Sequence, residues 1–276
     1  MPAKQKFGGK WTEQKLDTVE KYLSFYTTAL KNQHFKLCYI DAFSGSGSAV
    51  LRDGLVTDGS AIRALQYPFD QYFFIEKNDA YLDALASKIE NNHSDLLDKV
   101  VLRNGDCNEL LQSIDSRQWK EEGWRGVIFL DPYAMDLDWN SLEQISQTEA
   151  FDVWYLFPLS AVSRNLYNDG NIPLANQHKL DRVFGAESWR DEIYIESSQQ
   201  PLFGDAELEK IPNGLKDFIV KRLSETFPVT AKNPIVLTNS NNSPMFLLCF
   251  AASNRSGVAQ GLALKGASFI LNQAKD

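Results

Sequence analysis

Acidic residues stand at the ends of four short apolar segments: Asp41, Glu76, Asp106 and Asp131. Carboxylates accept hydrogen bonds from hydroxyl and amino groups, so a cluster of them suits a ligand rich in donors. One acid in such a place is commonly a helix cap, but four at successive segment ends are hard to ascribe to folding alone. If the segments are neighbouring parallel strands, the four acids meet in one crevice.

A glycine-rich turn, DAFSGSG over residues 41–47, follows the first segment. Glycine lets a ligand approach the backbone closely. The turn lacks the third glycine of a dinucleotide fingerprint, because Val50 stands there, and no Lys-Ser/Thr follows as a phosphate-binding P-loop requires. Glu76 also lies further along the chain than a simple ribose-binding acid would, and we interpret 52–59 as an insertion beside the site. That insertion is either a lid or a passive surface loop.

Apolar and amphipathic segments alternate between residues 35 and 158. Strands that are apolar throughout are buried on both faces, as in a parallel sheet covered by helices. This alternation predicts right-handed strand–helix–strand units. We predict strands at 35–41, 71–76, 99–103, 127–131 and 152–157, and helices at 60–67, 79–91, 107–114 and 139–147. Ser60 is the candidate N-cap of the helix at 60–67.

The flanking regions complete a single domain over 1–276. Apolar spacings of three and four predict a first helix over 12–32 with Thr12 as its N-cap. An insertion at 159–232 contains predicted helices at 174–184 and 212–226. The last part, 233–276, holds strands at 235–238 and 245–252, which we expect to form a hairpin on the sheet, and a helix at 257–273. The domain thus divides into 10–34, 35–158, 159–232 and 233–276.

Composition limits the classes of function. The 276 residues carry a net charge of −8, which does not favour non-specific binding to nucleic acid, although residues 1–36 are basic. The three cysteines are far apart and the three histidines lack ligand spacing, so we expect no metal site. The apolar runs are too short to span a bilayer and the N-terminus does not look like a secretory signal, so we expect a cytoplasmic protein without a membrane partner.

The turn at 41–47, placed after a buried strand, resembles motif I of class I S-adenosylmethionine methyltransferases. The resemblance implies a Rossmann-like α/β fold: a mostly parallel seven-stranded sheet, helices on both faces and a late antiparallel hairpin. It also implies S-adenosylmethionine as cofactor, with Glu76 on the ribose hydroxyls, Asp106 on the adenine amino group, and Asp41 and the glycine backbone beside the methionine part. Trp11 and Lys15 are expected to fold over the methionine part. The alternative for Trp11 is that it packs the first helix. The expected cofactor-binding set is Trp11, Lys15, Asp41, Phe43, Ser44, Gly45, Gly47, Glu76, Lys77, Asp106, Cys107 and Asp131.

Four stretches together resemble the three-Cys-motif partner family: KWTEQKL at 10–16, YIDAFSG at 39–45, DPYAMDLDW at 131–139 and DVWYLFP at 152–158. The family is methyltransferase-like, and its name implies a partner protein that bears a three-cysteine motif. The three cysteines of this chain are not that motif. The resemblance does not settle the substrate.

The sequence Asp131-Pro132-Tyr133 is similar to the D-P-P-Y motif of amino-group DNA and RNA methyltransferases, with the second proline missing. Carried over, Asp131 orients the target amine and Tyr133 stacks on a base. The expected catalytic residues are Asp131, Pro132 and Tyr133. The plain alternative is that Asp131 caps the next helix and Tyr133 packs. A mixture of basic and aromatic residues in the insertion would suit either nucleic acid recognition or an ordinary surface helix pair. These residues are Arg164, Lys179, Arg182, Arg190, Tyr167, Phe184, Trp189 and Tyr194.

Three kinds of function therefore remain open. The first is a methyltransferase that acts on a nucleobase amino group in RNA or DNA, or on another acceptor. The second is a non-catalytic cofactor-binding subunit of a three-Cys-motif protein. The third is a nucleotide or dinucleotide enzyme such as a reductase, against which the absent third glycine counts.

Overall fold

The computed structural model describes residues 10–51, 54–114, 116–196, 208–211 and 213–274. In this part of the chain the strands are β1 Lys36–Asp41, β2 Ser48–Val50, β3 Val56–Asp58, β4 Gln71–Glu76, β5 Val100–Asn104, β6 Trp124–Leu130, β7 Phe151–Phe157, β8 Tyr194–Glu196, β9 Leu208–Lys210, β10 Val229–Thr230, β11 Ile235–Thr238 and β12 Pro244–Ala252. The α-helices are α1 Lys10–Leu30, α2 Ser60–Ala64, α3 Asp79–Asn92, α4 Cys107–Gln112, α5 Ser116–Glu121, α6 Trp139–Gln147, α7 Leu159–Ser163, α8 Leu174–Phe184, α9 Trp189–Ile193, α10 Gly214–Thr226 and α11 Gly257–Gln273.

The central sheet has the strand order β5-β4-β1-β6-β7-β12, with β10 and β11 both pairing with the outer side of β12. Strands β5, β4, β1, β6 and β7 are parallel, whereas β12 runs antiparallel to β7. This order, with one antiparallel strand inserted before the last position, is that of the class I methyltransferase fold. The predicted fold class and the late hairpin are confirmed. The sheet has eight strands rather than seven because two short strands share one edge position.

Helices cover both faces of the sheet. One buried cluster joins the sheet to α1, α2, α3 and α11, and a second joins its other face to α4, α6, α8 and α10. Every residue of β7 is buried, as expected for a strand in the middle of a doubly covered sheet. Within the described ranges, no helix is both long and apolar enough to cross a membrane.

The first helix begins at Lys10, so Thr12 lies inside it and the prediction of Thr12 as the N-cap is wrong. Packing holds this end of the helix, because the ring of Trp11 lies 4.7 Å from that of Phe246 in β12. Further along α1, the Tyr22 hydroxyl donates to the buried carboxyl of Asp152 in β7 at 2.7 Å. Burial raises the pKa of Asp152 to about 7, and the Tyr22 hydrogen bond opposes that rise.

The segment expected as an insertion, 52–59, contains β3, which pairs antiparallel with β2 just before the segment; residues 52–53 lie outside the described residues. Ser60 does not cap α2, since the N-cap is Gly59. The hydroxyl of Ser60 instead hydrogen-bonds the side chain of Asp41.

Three aromatic residues of the insertion, Phe184, Trp189 and Tyr194, are buried in the core. Arg190 donates to Asp181 at 2.9 Å and lies over the Trp189 ring. These three residues help to hold α8, α9 and α10 together, which favours the ordinary helix packing over stacking on a nucleic acid for them, whereas Tyr167 of the same segment is 45% exposed.

Replacing Tyr22 with Phe should lower the free energy of unfolding by about 1–3 kcal/mol, because a buried carboxyl loses its donor. Urea denaturation at neutral pH measures the change. Tyr67→Phe is the matched control, since its hydroxyl donates to the half-buried Glu20 at 3.2 Å and Glu20 keeps its bond from Arg63. A loss as large in the control as in Tyr22→Phe would contradict this account of α1.

Candidate cofactor and active site

The four acids predicted to converge lie at one edge of the sheet. Asp41 ends β1, Glu76 ends β4, Asp106 follows β5 and Asp131 follows β6. These strands are adjacent and parallel in the order β5-β4-β1-β6, and the chain reverses its direction of progress across the sheet between β1 and β6. Ligands of open α/β sheets bind beyond the carboxyl ends of the strands at such a reversal.

The glycine turn is fastened to the end of β4. The amide of Gly45 donates to Glu76 Oε2 at 2.9 Å, and that of Asn78 donates to Oε1 at 2.8 Å. The amide of Ser44 donates to the Ile75 carbonyl at 2.9 Å. Glu76 is thereby held in place by backbone donors, and each of its oxygens keeps a lone pair for a further partner.

Gly47 occupies a position that only glycine fits. Its φ of 67° is in the left-handed region, and a Cβ would lie 2.7 Å from Leu85 and 2.9 Å from Ile62. The carbonyl of Gly47 accepts from the Gly59 amide and from Lys88 Nζ, both at 3.0 Å. Sequence reasoning missed Lys88, because nothing in the pattern of α3 distinguishes it from other surface lysines.

Asp41 is fully buried at the end of β1. Burial raises its pKa to about 7, opposed by hydrogen bonds from the Ser60 hydroxyl and the Phe43 amide, the latter at 3.3 Å; the negative charge of Asp131 adds to the rise. At neutral pH this carboxyl is therefore poised between its two protonation states.

Asp106 caps α4 by accepting from the Asn108 amide at 2.9 Å, and it pairs with Lys77 Nζ at 2.9 Å. Partial burial alone would raise its pKa, but the hydrogen bonds from Lys77 and Asn108 outweigh burial and hold the pKa below its usual value. The next residue, Cys107, is buried, and burial raises the pKa of its thiol far above the usual range. Its side chain belongs to the core beneath the site.

Asp131 forms an ion pair with Lys15 of α1, through its Oδ2 atom. Lys15 is buried, and its ammonium lies 5.2 Å from the centre of the Trp11 ring. The first helix therefore brings a cation to the end of β6, and Trp11, which flanks that cation, packs against Phe246 of β12.

The segment after Asp131 presents an aromatic side chain to solvent. Tyr133 is 68% exposed, whereas Pro132 is buried and Ala134 has a φ of 51°. Asp138, not Asp131, stands at the N-cap position of the helix that follows. The plain alternative, a helix cap and a packing aromatic, is wrong for both residues.

Asn108 fixes the far end of this segment. The side-chain Nδ2 of Asn108 donates to the backbone carbonyl of Asp136 at 2.7 Å. Its side-chain Oδ1 accepts from the backbone amide of Asp138 at 2.9 Å. Sequence reasoning missed Asn108; its only signal is its place two residues after Asp106. In the described ranges, no group of three or more metal-ligating side chains is arranged to hold a metal ion.

No protein-family model matches the chain, and no curated protein matches it. Solved structures do. A protein from Legionella pneumophila str. Philadelphia 1 is 13% identical with a TM-score of 0.48, covering 96% of this chain and 94% of its own. A spermidine synthase in complex with a transition-state analogue is 10% identical with a TM-score of 0.47, covering 91% and 64%. The methyltransferase domain of a bacterial Hen1 is 13% identical with a TM-score of 0.40, covering 85% and 98%. At these identities the likeness concerns chain path alone, and the fold class follows from the strand order.

Gly47→Ala should destabilise the protein by about 1–3 kcal/mol, because the new methyl overlaps Leu85 and Ile62 in a left-handed conformation. Thermal or urea unfolding measures the loss. Gly123→Ala is the matched control: its φ of 78° is similar, but no atom lies within 4 Å of the added Cβ. The control should lose only the cost of the backbone conformation. Equal losses would mean that the overlap beneath the turn is unimportant.

The stability of the protein should fall as pH rises from about 4 to about 7, because buried Asp41 binds its proton more tightly in the folded chain than in the unfolded chain. Asp41→Asn should flatten this dependence, measured as the unfolding free energy across that interval. Asp152→Asn is a matched variant, since its pKa is also raised to about 7, and it should flatten the curve similarly. A curve for Asp41→Asn that runs parallel to the parent curve would contradict the raised pKa.

Proposed function

We propose that the chain is an S-adenosylmethionine-dependent methyltransferase that acts in the cytoplasm on an exocyclic amino group of a nucleobase in RNA or DNA. The observation that carries the proposal is the attachment of the glycine turn to Glu76 within the row of four acids. It leaves carboxylate lone pairs beside an accessible backbone at the edge of the sheet where ligands of such folds bind.

The donor set fits this cofactor. Glu76 has two oxygens in fixed positions for the vicinal hydroxyls of a ribose, and Asp106 supplies an acceptor for an adenine amine. The buried carboxyl of Asp41 suits the positively charged end of the molecule, where the glycine turn allows close approach. When bound, the cofactor supplies an activated methyl group, and the chain itself has to position the acceptor, exclude water and receive one proton.

The acceptor would lie at Asp131 and Tyr133. Lys15 contacts Oδ2 of Asp131, and a carboxylate accepts through both oxygens, so Oδ1 can accept a hydrogen bond from an amine. The exposed ring of Tyr133 offers a flat face on which a base can stack. Orientation of the amine by Asp131 and stacking on Tyr133 together define a planar acceptor.

A second candidate is a cofactor-binding subunit that works with another protein, for which the family resemblance suggests a three-Cys-motif protein. The observation that favours it is the outer face of α11, where Val258 is 85% and Phe269 is 62% exposed. Exposed apolar residues of this kind often mark protein–protein contacts. Transfer of labelled methyl by the isolated chain would count against this candidate.

Calorimetry with S-adenosylmethionine, S-adenosylhomocysteine, NAD and ATP tests the cofactor. The first two should bind, and Glu76→Gln should weaken them by about tenfold or more, since one charged hydrogen bond is worth about 1.5–3 kcal/mol. Glu90→Gln, a change at an exposed residue near the C-terminal end of α3, serves as the control. Preferential binding of NAD or ATP would refute the assignment.

Asp131→Asn tests the acceptor role. It should keep cofactor binding within about threefold while lowering methyl transfer to RNA or DNA by about a hundredfold or more, because the variant no longer offers a charged acceptor to the amine. Labelled-methyl transfer to nucleic acid and protein pools measures this. Methyl transfer that stays at the parent level in Asp131→Asn would show that Asp131 has no catalytic role.

A further inference from the structure

A buried lysine stands against the carboxylate to which the proposed function assigns the acceptor. Lys15 Nζ contacts Asp131 Oδ2, and Lys15 as a whole is 7% exposed. A buried charge is stable only when it is paired. The two side chains therefore form a neutral unit at the end of β6, although they are 116 residues apart in the sequence.

This ammonium is a fixed part of the site. Its helix is tied to β7 by the Tyr22–Asp152 hydrogen bond and to the C-terminal helix by a bond from Gln14 to the Ala274 carbonyl at 2.7 Å. The Trp11 ring flanks the ammonium, and that ring is itself packed on β12. An acceptor that reaches Asp131 therefore meets the positive charge of Lys15 as well.

We propose that Lys15 is a positioning residue that neutralises Asp131 and so restricts the acceptor to a neutral planar amine. The inference rests on the proposed function in taking Asp131 as the group that receives the acceptor. A neutral exocyclic amine needs only an oxygen to accept its N–H, and Asp131 Oδ1 can supply it. An alkylammonium group, as in lysine or a polyamine, would be repelled by Lys15 at close range.

Tyr133 fits the same class of acceptor. Its exposed ring lies two residues after Asp131, on a turn held by the left-handed Ala134 and by Asn108. A flat neutral ring that carries an amino group can stack there while its amine reaches the carboxylate. A flexible cationic chain gains less from that face once the neighbouring carboxylate has been neutralised.

The test compares two small probes on the protein loaded with S-adenosylhomocysteine: 9-methyladenine, a neutral planar amine, and benzylammonium, an aromatic cation. NMR titration gives the ratio of their dissociation constants without any turnover. The parent protein should prefer 9-methyladenine. Lys15→Met should move the ratio toward benzylammonium by about tenfold or more, because a nearby positive charge is gone, and Lys15→Arg should retain the parent ratio.

Lys120→Met is the matched control, since Lys120 also forms an ion pair, with Glu149, away from the four acids. It should leave the ratio unchanged. If Lys15→Met does not fold, Asp131→Asn replaces it: the uncompensated Lys15 should move the ratio further toward the neutral probe. The same binding experiment thus remains informative through a second variant.

The inference is overturned if the parent protein prefers benzylammonium, or if neither Lys15→Met nor Asp131→Asn moves the ratio. Failure of the proposed function has a different signature, which is absence of labelled-methyl transfer to every acceptor pool. The binding ratio reports on Lys15 in either case, so the two failures can be told apart.

Discussion

The cost of taking four carboxylates partly out of water at one edge of the sheet is the constraint that shapes this site. Like charges brought together out of water are costly unless each one is compensated. The structure compensates each acid differently: Asp41 by retaining its proton up to about neutral pH, Glu76 by two backbone amides, Asp106 by Lys77 and the start of a helix, and Asp131 by Lys15. The fold alone does not require this arrangement, which is why we regard it as functional.

These compensating groups come from distant parts of the chain, and this explains several features of the fold. The first helix has to be anchored firmly, because it carries Lys15; the Tyr22–Asp152 bond and the packing of Trp11 provide the anchor. The glycine turn has to lie close against β4, because its amide holds Glu76. Gly47 permits that approach, since a side chain there would strike α2 and α3.

The regular elements could be predicted well from the sequence because they follow apolar periodicity. The bounds of β4, α6, α8 and α11 agree with the predicted ranges, and the four acids do meet at one edge. Short elements escaped prediction: α5, α7 and β10 contain too few residues for a periodic pattern. The hydrophobic pattern also could not show that Trp189 packs inward, because aromatics beside arginines occur in cores as well as on binding surfaces.

Details of the candidate site were less predictable where they depend on long-range contacts. The row of acids followed from strand ends, but the choice of Lys15 as the partner of Asp131 depends on how α1 docks against the sheet. The role of Ser60 changed from helix cap to partner of Asp41 because Gly59 took the cap position. Likewise, Lys88 and Asn108 act through backbone carbonyls and amides, for which residue type gives little warning.

The central claim is that the four acids and the glycine turn at 41–47 bind an adenosine-containing cofactor. A crystal structure of the chain grown with S-adenosylhomocysteine tests it most directly. The account predicts both ribose hydroxyls within hydrogen-bond distance of Glu76 and the homocysteine part beside residues 41–47. A ligand bound elsewhere, or a ribose that makes no contact with Glu76, would contradict it.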